Sequence, residues 1–374
     1  MTEQELIYTM ALSRLPSLNL THQHILLKAL GSATAIFEHR RDICDVLPDA
    51  HPRMAEALAL MDTHIPRAEE ELAFAQSGHV QCIHYNDEAY PARLRECPDA
   101  PLIIYYRGTT DFNARHIVSM VGTRKITEYG KDICRQFIKD LKSLCPDTVI
   151  VSGLAYGVDI NCHRAALQNG MPTLAVLAHG LDQIYPRHHR DTAVKMVTQG
   201  GLLTEFMSRT NPDKKNFVQR NRIVAGISDA TVVVESAAKG GSLITADLAE
   251  TYHRDVFAFP GRCSDVYSEG CNNLIRQNHA ALITSAEAFV ETMGWETAQA
   301  RQEQLAKGVQ QELFPDLSEQ EQIIVRALQN VDDMPINILS VNTNIPFAPL
   351  SSLLFTLEMK GVVKMLNGSR YRLL

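Results

Sequence analysis

The sequence predicts an α/β protein with a doubly wound, mostly parallel sheet, flanked by a helical domain before it and a small helix-and-hairpin domain after it. Three observations predict this. From residue 117 onward short β-branched runs alternate with helix-length segments, and several runs end on glycine, as at Gly122, Gly153 and Gly180. Residues 1–76 carry their apolar side chains at helical spacing. Residues 317–374 hold three short apolar-faced segments and a final hairpin pattern.

In the first segment Leu6, Met10, Leu26, Leu27, Leu30, Ile36 and Phe37 recur at helical spacings, broken at Pro16 and Gly31-Ser32. Short helices joined by a glycine turn resemble helix-hairpin-helix or SAM-like modules. No cationic cluster marks the turn, so a bundle making protein contacts is the reading adopted. Short strands are expected over Val80–Tyr85 and Leu102–Tyr106. The regular alternation then begins: strand Ile117–Val121, helix Glu128–Leu144, strand Thr148–Val151, a helix from Asp159 to Asn169, and strands Thr173–Leu177, Leu202–Thr204, Thr231–Val234 and Val256–Phe259. Ligands of such sheets bind beyond the carboxyl ends of the strands. A polar, glutamine-rich stretch, 296–316, reads as a linker. Ser318 to Glu321 fits a capping box, and Leu350, Leu353, Leu354 and Leu357 form a helix face. With Asn367-Gly368 as a hairpin turn, this end suggests a winged helix. The expected domains are therefore 1–76, 77–295 and 317–374, with the linker between the last two.

Composition narrows the function. A formal net charge of −7 excludes a uniformly basic coat, so any nucleic-acid contact must be a local patch. There is no apolar run of membrane-spanning length and no leader pattern, so a cytoplasmic protein without membrane contact is expected. The eight cysteines show no CxxC pair and no zinc spacing, which predicts reduced, structural thiols and no metal. GxxxxGK[ST], GxGxxG and GxSxG are all absent, which argues against P-loop, usual dinucleotide and hydrolase-elbow chemistry.

The residues that do point to a ligand lie at strand ends. Gly122-Thr123-Arg124-Lys125 follows the first parallel strand, Ser152-Gly153 the second, and Gly240-Gly241-Ser242-Leu243 opens a helix that continues through Thr245. Glycine lets backbone approach an anion, and a helix N-terminus offers it free N–H groups. Between these loops, Phe206–Arg222 contributes Arg209, Lys214, Lys215, Arg220 and Arg222 against one acid, Asp213. Phe217 and Tyr185 add rings. Cations interleaved with an aromatic suit single-stranded nucleic acid, whose phosphates need neutralising and whose bases stack. Phe217 could equally be a core anchor, and the arginines could instead pair with Asp182, Glu205 or Glu235. His163 reads as a packed residue and His188-His189 as solvated. Asp159 is a candidate helix cap.

In order and spacing, VGTRKITEYG (121–130), SGLAYGVD (152–159), HGLDQIYP (179–186), FVQRNRIVAG (217–226), GGSLITADLA (240–249) and FPG (259–261) resemble the successive motifs of the DNA-processing protein A family, DprA or Smf. The resemblance is strong over residues 80–295. It implies an extended Rossmann-like core that binds single-stranded DNA, forms a homodimer and helps load the RecA recombinase in natural transformation, with no established catalysis and no cofactor. It implies DNA-binding roles for Arg124, for Arg220 and Arg222 of the RNR motif, and for Gly241, Ser242 and Thr245. With their strand-end neighbours, the expected nucleic-acid-binding residues are Gly122, Thr123, Arg124, Lys125, Ser152, Gly153, Lys214, Lys215, Phe217, Arg220, Asn221, Arg222, Gly240, Gly241, Ser242, Leu243 and Thr245. The chain departs from the family pattern at Val218, Gly240 and Cys162, where proline, serine and alanine are usual. A more distant resemblance to nucleotide phosphoribohydrolases, with Glu250 as acid, offers an enzymatic alternative, and a nucleotide sensor would use the same pocket.

Overall fold

The described chain opens with six helices, α1 (Glu3–Ser13), α2 (Leu20–Leu30), α3 (Ala33–Glu38), α4 (Ile43–Val46), α5 (Pro52–Leu58) and α6 (Met61–Ser77). Their starts are set by side chains that accept first-turn amides: Thr2 for α1, Asn19 for α2 and Ser32 for α3. Gly31, in the left-handed region at φ 82°, ends α2. Buried Glu5 accepts the amides of Ala33 (2.6 Å) and Thr34 (2.9 Å), fixing α3 against α1. The computed structural model describes residues 1–48, 50–300, 317–329, 333–366 and 369–373.

The sheet follows: β1 (Gln81–His84), α7 (Ala92–Arg95), β2 (Ile103–Gly108), β3 (Ile117–Val121), α8 (Glu128–Leu144), β4 (Val149–Ser152), α9 (Val158–Gln168), β5 (Thr173–Val176), α10 (Arg190–Gln199), β6 (Gly200–Thr204), α11 (Lys214–Gly226), β7 (Ala230–Val233), α12 (Gly241–Thr251), β8 (Asp255–Ala258), α13 (Glu269–Arg276), β9 (Ala281–Leu282) and α14 (Ala286–Thr292). Strand order is β1-β2-β6-β5-β4-β3-β7-β8-β9. The pairs from β6 across to β9 are parallel, while β1–β2 and β2–β6 are antiparallel, so the expected mostly parallel, doubly wound sheet is present. The chain winds from β3 through β4 and β5 to β6, then crosses back to β7 on the other side of β3. The point of reversal lies between β3 and β7.

Strand alternation separates two apolar layers. Ile117 and Val121 of β3, Val149 and Val151 of β4 and Val233 of β7 face Ile223 and Val224 of α11 and Ala246 and Ala249 of α12. Val118, Met120, Ile150 and Val232 face the opposite way, onto Phe137, Ile138 and Leu141 of α8, Cys162 and Ala166 of α9 and Phe289 of α14. All eight cysteines are free, including buried Cys134 and Cys162, whose sulfurs lie 3.5 Å apart.

The initial helices do not stand apart from the sheet. Met10, Ala68 and Leu72 share a core with Ile103 and Tyr105, and residues Met1–Ala298 form one compact unit. The second unit, Gln299–Leu374, has α15 (Glu319–Leu328), β10 (Met334–Pro335), α16 (Ile336–Thr343), α17 (Phe347–Met359), β11 (Val363–Leu366) and β12 (Arg370–Leu373), with the strands antiparallel in the order β10-β12-β11. Ser318 and Glu321 form the capping box read from the sequence. From residue 301 the expected linker lies outside the described residues, as does the Asn367-Gly368 turn. Among the basic residues of this end, Lys360 pairs with Glu321 (2.7 Å) and Arg370 with Asp333, so its charge is partly neutralised in place. No single described helix is long and apolar enough to cross a membrane.

Candidate nucleic-acid interface

The carboxyl ends of β3, β4 and β7 open into a cleft of about 690 Å³, at the reversal point of the sheet. Its first wall is the loop after β3. The Thr123 amide donates to the Glu235 carbonyl (2.7 Å), and the Thr123 carbonyl accepts from the Val158 amide (3.1 Å), so this loop is sewn to β7 and to α9. Gly157, at φ 79°, lies so close to Thr123 and Arg124 that a Cβ there would strike their backbone. Glu235 is buried and accepts from the Thr127 amide (2.9 Å) and hydroxyl; it does not pair with an arginine.

The second wall is α11, a helix the sequence reading did not place. Asp213 caps it by accepting from the Asn216 amide (2.8 Å). Phe217, Arg220, Asn221 and Val224, spaced i, i+3, i+4 and i+7, line the cleft. Arg220 is 4% exposed and its Nη1 donates to the Val176 carbonyl at 2.6 Å. Beside it sits buried Asp159, whose carboxylate accepts from the amides of Gly153 (3.2 Å) and Ala155 (3.3 Å), ordering the loop after β4 rather than capping its own helix. Burial brings Arg220 down to about 10, opposed by Asp159 and reinforced by Arg124; burial raises Asp159, opposed chiefly by Arg220. Each charge therefore offsets part of what burial costs the other.

The third wall is the start of α12. Gly240 precedes it and supplies no side-chain cap, and Gly240, Gly241 and Ser242 border the cleft, so this helix N-terminus opens onto it. The Ser242 hydroxyl is turned away, donating to Ser236 Oγ at 3.0 Å, while Thr245 lies on the lining face one turn on. At the mouth, the rings of Tyr185 and Phe217 are 6.0 Å apart. The guanidinium of Arg124 lies 4.9 Å from the Phe217 ring centre and that of Arg220 5.9 Å. Phe217 is thus a half-buried ring between two cations, not a core anchor. Among the described residues Arg124, Lys214 and Lys239 have no ion pair.

Gly122, Thr123, Arg124, Gly153, Lys214, Phe217, Arg220, Asn221, Gly240, Gly241, Ser242 and Thr245 all border this cleft. Five expected residues do not border it. Lys125 and Lys215 are exposed beside it. Ser152 is fully buried, donating to the Met120 carbonyl (2.6 Å), and Leu243 packs into the core. Arg222 points away: α11 turns it about 200° from Arg220, into a buried ion pair with Glu205 and a hydrogen bond to the Asp99 carbonyl. Lys239 lines the cleft but escaped the sequence reading, although it directly precedes the glycine turn. His189 is buried, its ring nitrogen 2.8 Å from the Leu154 carbonyl, and so corrects the solvated reading. Glu250 lies outside the cleft, beside His279 at 2.8 Å. No cluster of potential metal ligands occurs among the described residues.

Behind the cleft His163 is fully buried. Thr173 donates its hydroxyl to the Ile150 carbonyl (2.9 Å), so it accepts from His163 Nδ1–H (2.7 Å), which fixes the neutral tautomer. Burial pushes His163 down to about 3, with Arg220 and His189 acting in the same direction. Its stability contribution is full above the unfolded value near 6.5 and is lost as pH falls toward the folded one. Between pH 7 and pH 5 this single ring costs about 2 kcal/mol. Burial raises Asp159 and Glu205, which act in the opposite sense. The expected result is that His163→Gln loses less stability than the wild type between pH 7 and pH 5 in urea titrations; parallel pH profiles would contradict it.

The model of the family described as DNA recombination-mediator protein A matches residues 81–294. The DNA processing protein DprA of Streptococcus pneumoniae is 39% identical over 201 residues, 54% of this chain and 70% of that protein. Protein Smf of Escherichia coli K12 is 33% identical over 316 residues, 82% of this chain and 80% of its own. The crystal structure of the Streptococcus pneumoniae protein superposes with a TM-score of 0.64 at 32% identity, covering 78% of this chain and 98% of that one. A structure of DNA processing protein A from Helicobacter pylori, described for its single-stranded DNA binding mode, superposes with a TM-score of 0.52 at 29% identity over 57% of this chain and 95% of that one. The six ordered motifs and the fold they occupy thus agree with the comparisons, and this chain belongs to the DNA recombination-mediator protein A family.

Proposed function

We propose that the chain binds single-stranded DNA in the cleft at the ends of β3, β4 and β7, protects it, and helps load the RecA recombinase onto it, without catalysing a reaction of its own. One observation carries the reading: Arg124, Lys214 and Lys239, unpaired among the described residues, surround a helix N-terminus while two rings stand at the mouth. Cations and amides suit phosphates, and the rings suit bases of any sequence. The family membership and the binding mode described for the Helicobacter pylori relative support it. The cleft's carboxylates are both engaged, Asp159 with loop amides and Asp213 with the start of α11, and Glu250 lies elsewhere; this supports binding over nucleotide hydrolysis.

The test is binding of oligo-dT across a salt series. Arg124→Ala should weaken binding alike for different sequences and make the slope of log affinity against log salt shallower by about 0.7. Arg124→Lys should recover only part, since an ammonium cannot fork onto two phosphate oxygens. Ser242→Ala should bind nearly as wild type, because its hydroxyl serves Ser236, whereas Ser242→Glu should bind far less by placing an anion at the helix N-terminus. A folded Arg124→Ala with wild-type affinity and slope would remove the cleft from consideration.

In this reading the assembly is a homodimer formed through the first unit, and the second unit, taken as a winged helix from its element order, is dispensable for it. Sedimentation of a chain lacking residues 317–374 checks this; a monomer would transfer dimerisation to the second unit.

A further inference from the structure

Between β6 and α11 the chain passes through Met207, Ser208 and Arg209, and the helices before the sheet grip each of them. Met207 is buried with Met10, Leu72 and Tyr105. Ser208 is 5% exposed, and its amide donates to both oxygens of Glu71 on α6, at 2.9 and 3.0 Å; its hydroxyl also binds Glu71. Arg67, one turn earlier on α6, closes the set by donating from Nη2 to Glu71 (2.7 Å), the Ser208 carbonyl (2.7 Å) and the Ser208 hydroxyl (3.0 Å). Glu70 pairs with Arg209, which is held at φ 61°. Glu71 is 2% exposed. A buried carboxylate is retained only where donors satisfy it, so this clamp holds the loop in one place.

What that loop carries makes the clamp more than a packing detail. One residue on, the Thr210 carbonyl accepts from the Gly180 amide (3.3 Å) and Gln183 Nε2 (2.9 Å), in the loop that ends at Tyr185. Three residues further, Asp213 starts α11, which bears Phe217 and Arg220. Both rings at the cleft mouth are therefore reached from Ser208 by a few covalent and hydrogen-bonded links. Neither Arg67 nor Glu71 borders the cleft.

We propose that Glu71, aided by Arg67, is a positioning residue of the cleft: through Ser208 it sets the separation of Tyr185 and Phe217, so the helical segment controls how well bases stack. The inference rests on the cleft being the DNA site.

A double-mutant cycle on oligo-dT affinity tests it. Glu71→Gln keeps the volume but removes one acceptor, and should cost roughly five- to tenfold, the lower part of what one base–aromatic stack contributes. The salt slope should not change, since the phosphate-facing cations are untouched. In a Tyr185→Ala background the same substitution should cost almost nothing, because the ring it positions is gone. Ser208→Ala, which removes only the hydroxyl, provides the same cycle if Glu71→Gln fails to fold. Equal losses in both backgrounds, or wild-type affinity with a lowered melting temperature, would make the clamp purely structural and overturn the proposal. If instead Arg124→Ala and Phe217→Ala also bind as wild type, the DNA-site reading is what has failed.

Discussion

Gly153→Ala is expected to lower oligo-dT affinity by more than any exposed substitution at the cleft, although it adds one methyl group. Gly153 lies outside the left-handed φ region, so its backbone does not exclude alanine. The obstacle is Arg220: a Cβ on Gly153 would fall on its guanidinium. That group must then leave its seat against the Val176 carbonyl and the neighbourhood of Asp159. A hydrogen bond to a charged group contributes about 1.5–3 kcal/mol, which corresponds to roughly a 10- to 150-fold loss if the displaced guanidinium no longer meets its phosphate. Because both substitutions act on one guanidinium, Gly153→Ala combined with Arg220→Ala should bind no worse than Arg220→Ala alone. Fluorescence anisotropy on folded variants decides it. Wild-type affinity in Gly153→Ala would mean that Arg220 supports the loop and does not face DNA.

Arg222→Ala, two residues along the same motif, should do the reverse. Its guanidinium and the Glu205 carboxylate are each under a tenth exposed, and Arg222 also holds the Asp99 carbonyl, while the Asp99 carboxylate accepts from Tyr252 at 2.7 Å. Removing one partner of a buried pair leaves the other uncompensated and costs about 3–5 kcal/mol. Urea titration should therefore show a large loss of stability. The molecules that remain folded should bind oligo-dT with wild-type affinity and salt slope, since no atom of Arg222 reaches the cleft. A specific loss of affinity at unchanged stability would place Arg222 back in the interface.

Several elements could be read from the chain because local pattern and tertiary need agreed. Strand Ile117–Val121 and helix Glu128–Leu144 end where the apolar spacing ends, and Thr127 caps the helix. Helices α10 and α11 are not legible locally: the polar first turn of α11, Lys214-Lys215-Asn216, gives little amphipathic signal before Ile223. The helix also separates the two arginines of the RNR sequence: in a loop both could face one cleft, but on α11 Arg220 lines it and Arg222 pairs with Glu205, the alternative the sequence left open. His189 is hidden for a similar reason, since adjacent histidines look solvated until one is folded under the Leu154 carbonyl.

The sequence by itself determined the alternation of strands and helices, the glycine-bearing loops at the strand ends, the supply of cations and the family, because each depends on local spacing or on motifs read in order. Tertiary structure alone decided which of those residues share a cleft. The antiparallel pairing of β1 and β2 at the sheet edge, the pairing of Arg222 with Glu205, the seat of Arg220 above Gly153 and the grip of Glu71 on Ser208 join residues from 17 to 137 positions apart. No local spacing specifies such contacts. They follow from the order in which strands are laid beside β3 and from the need to satisfy every charge buried there.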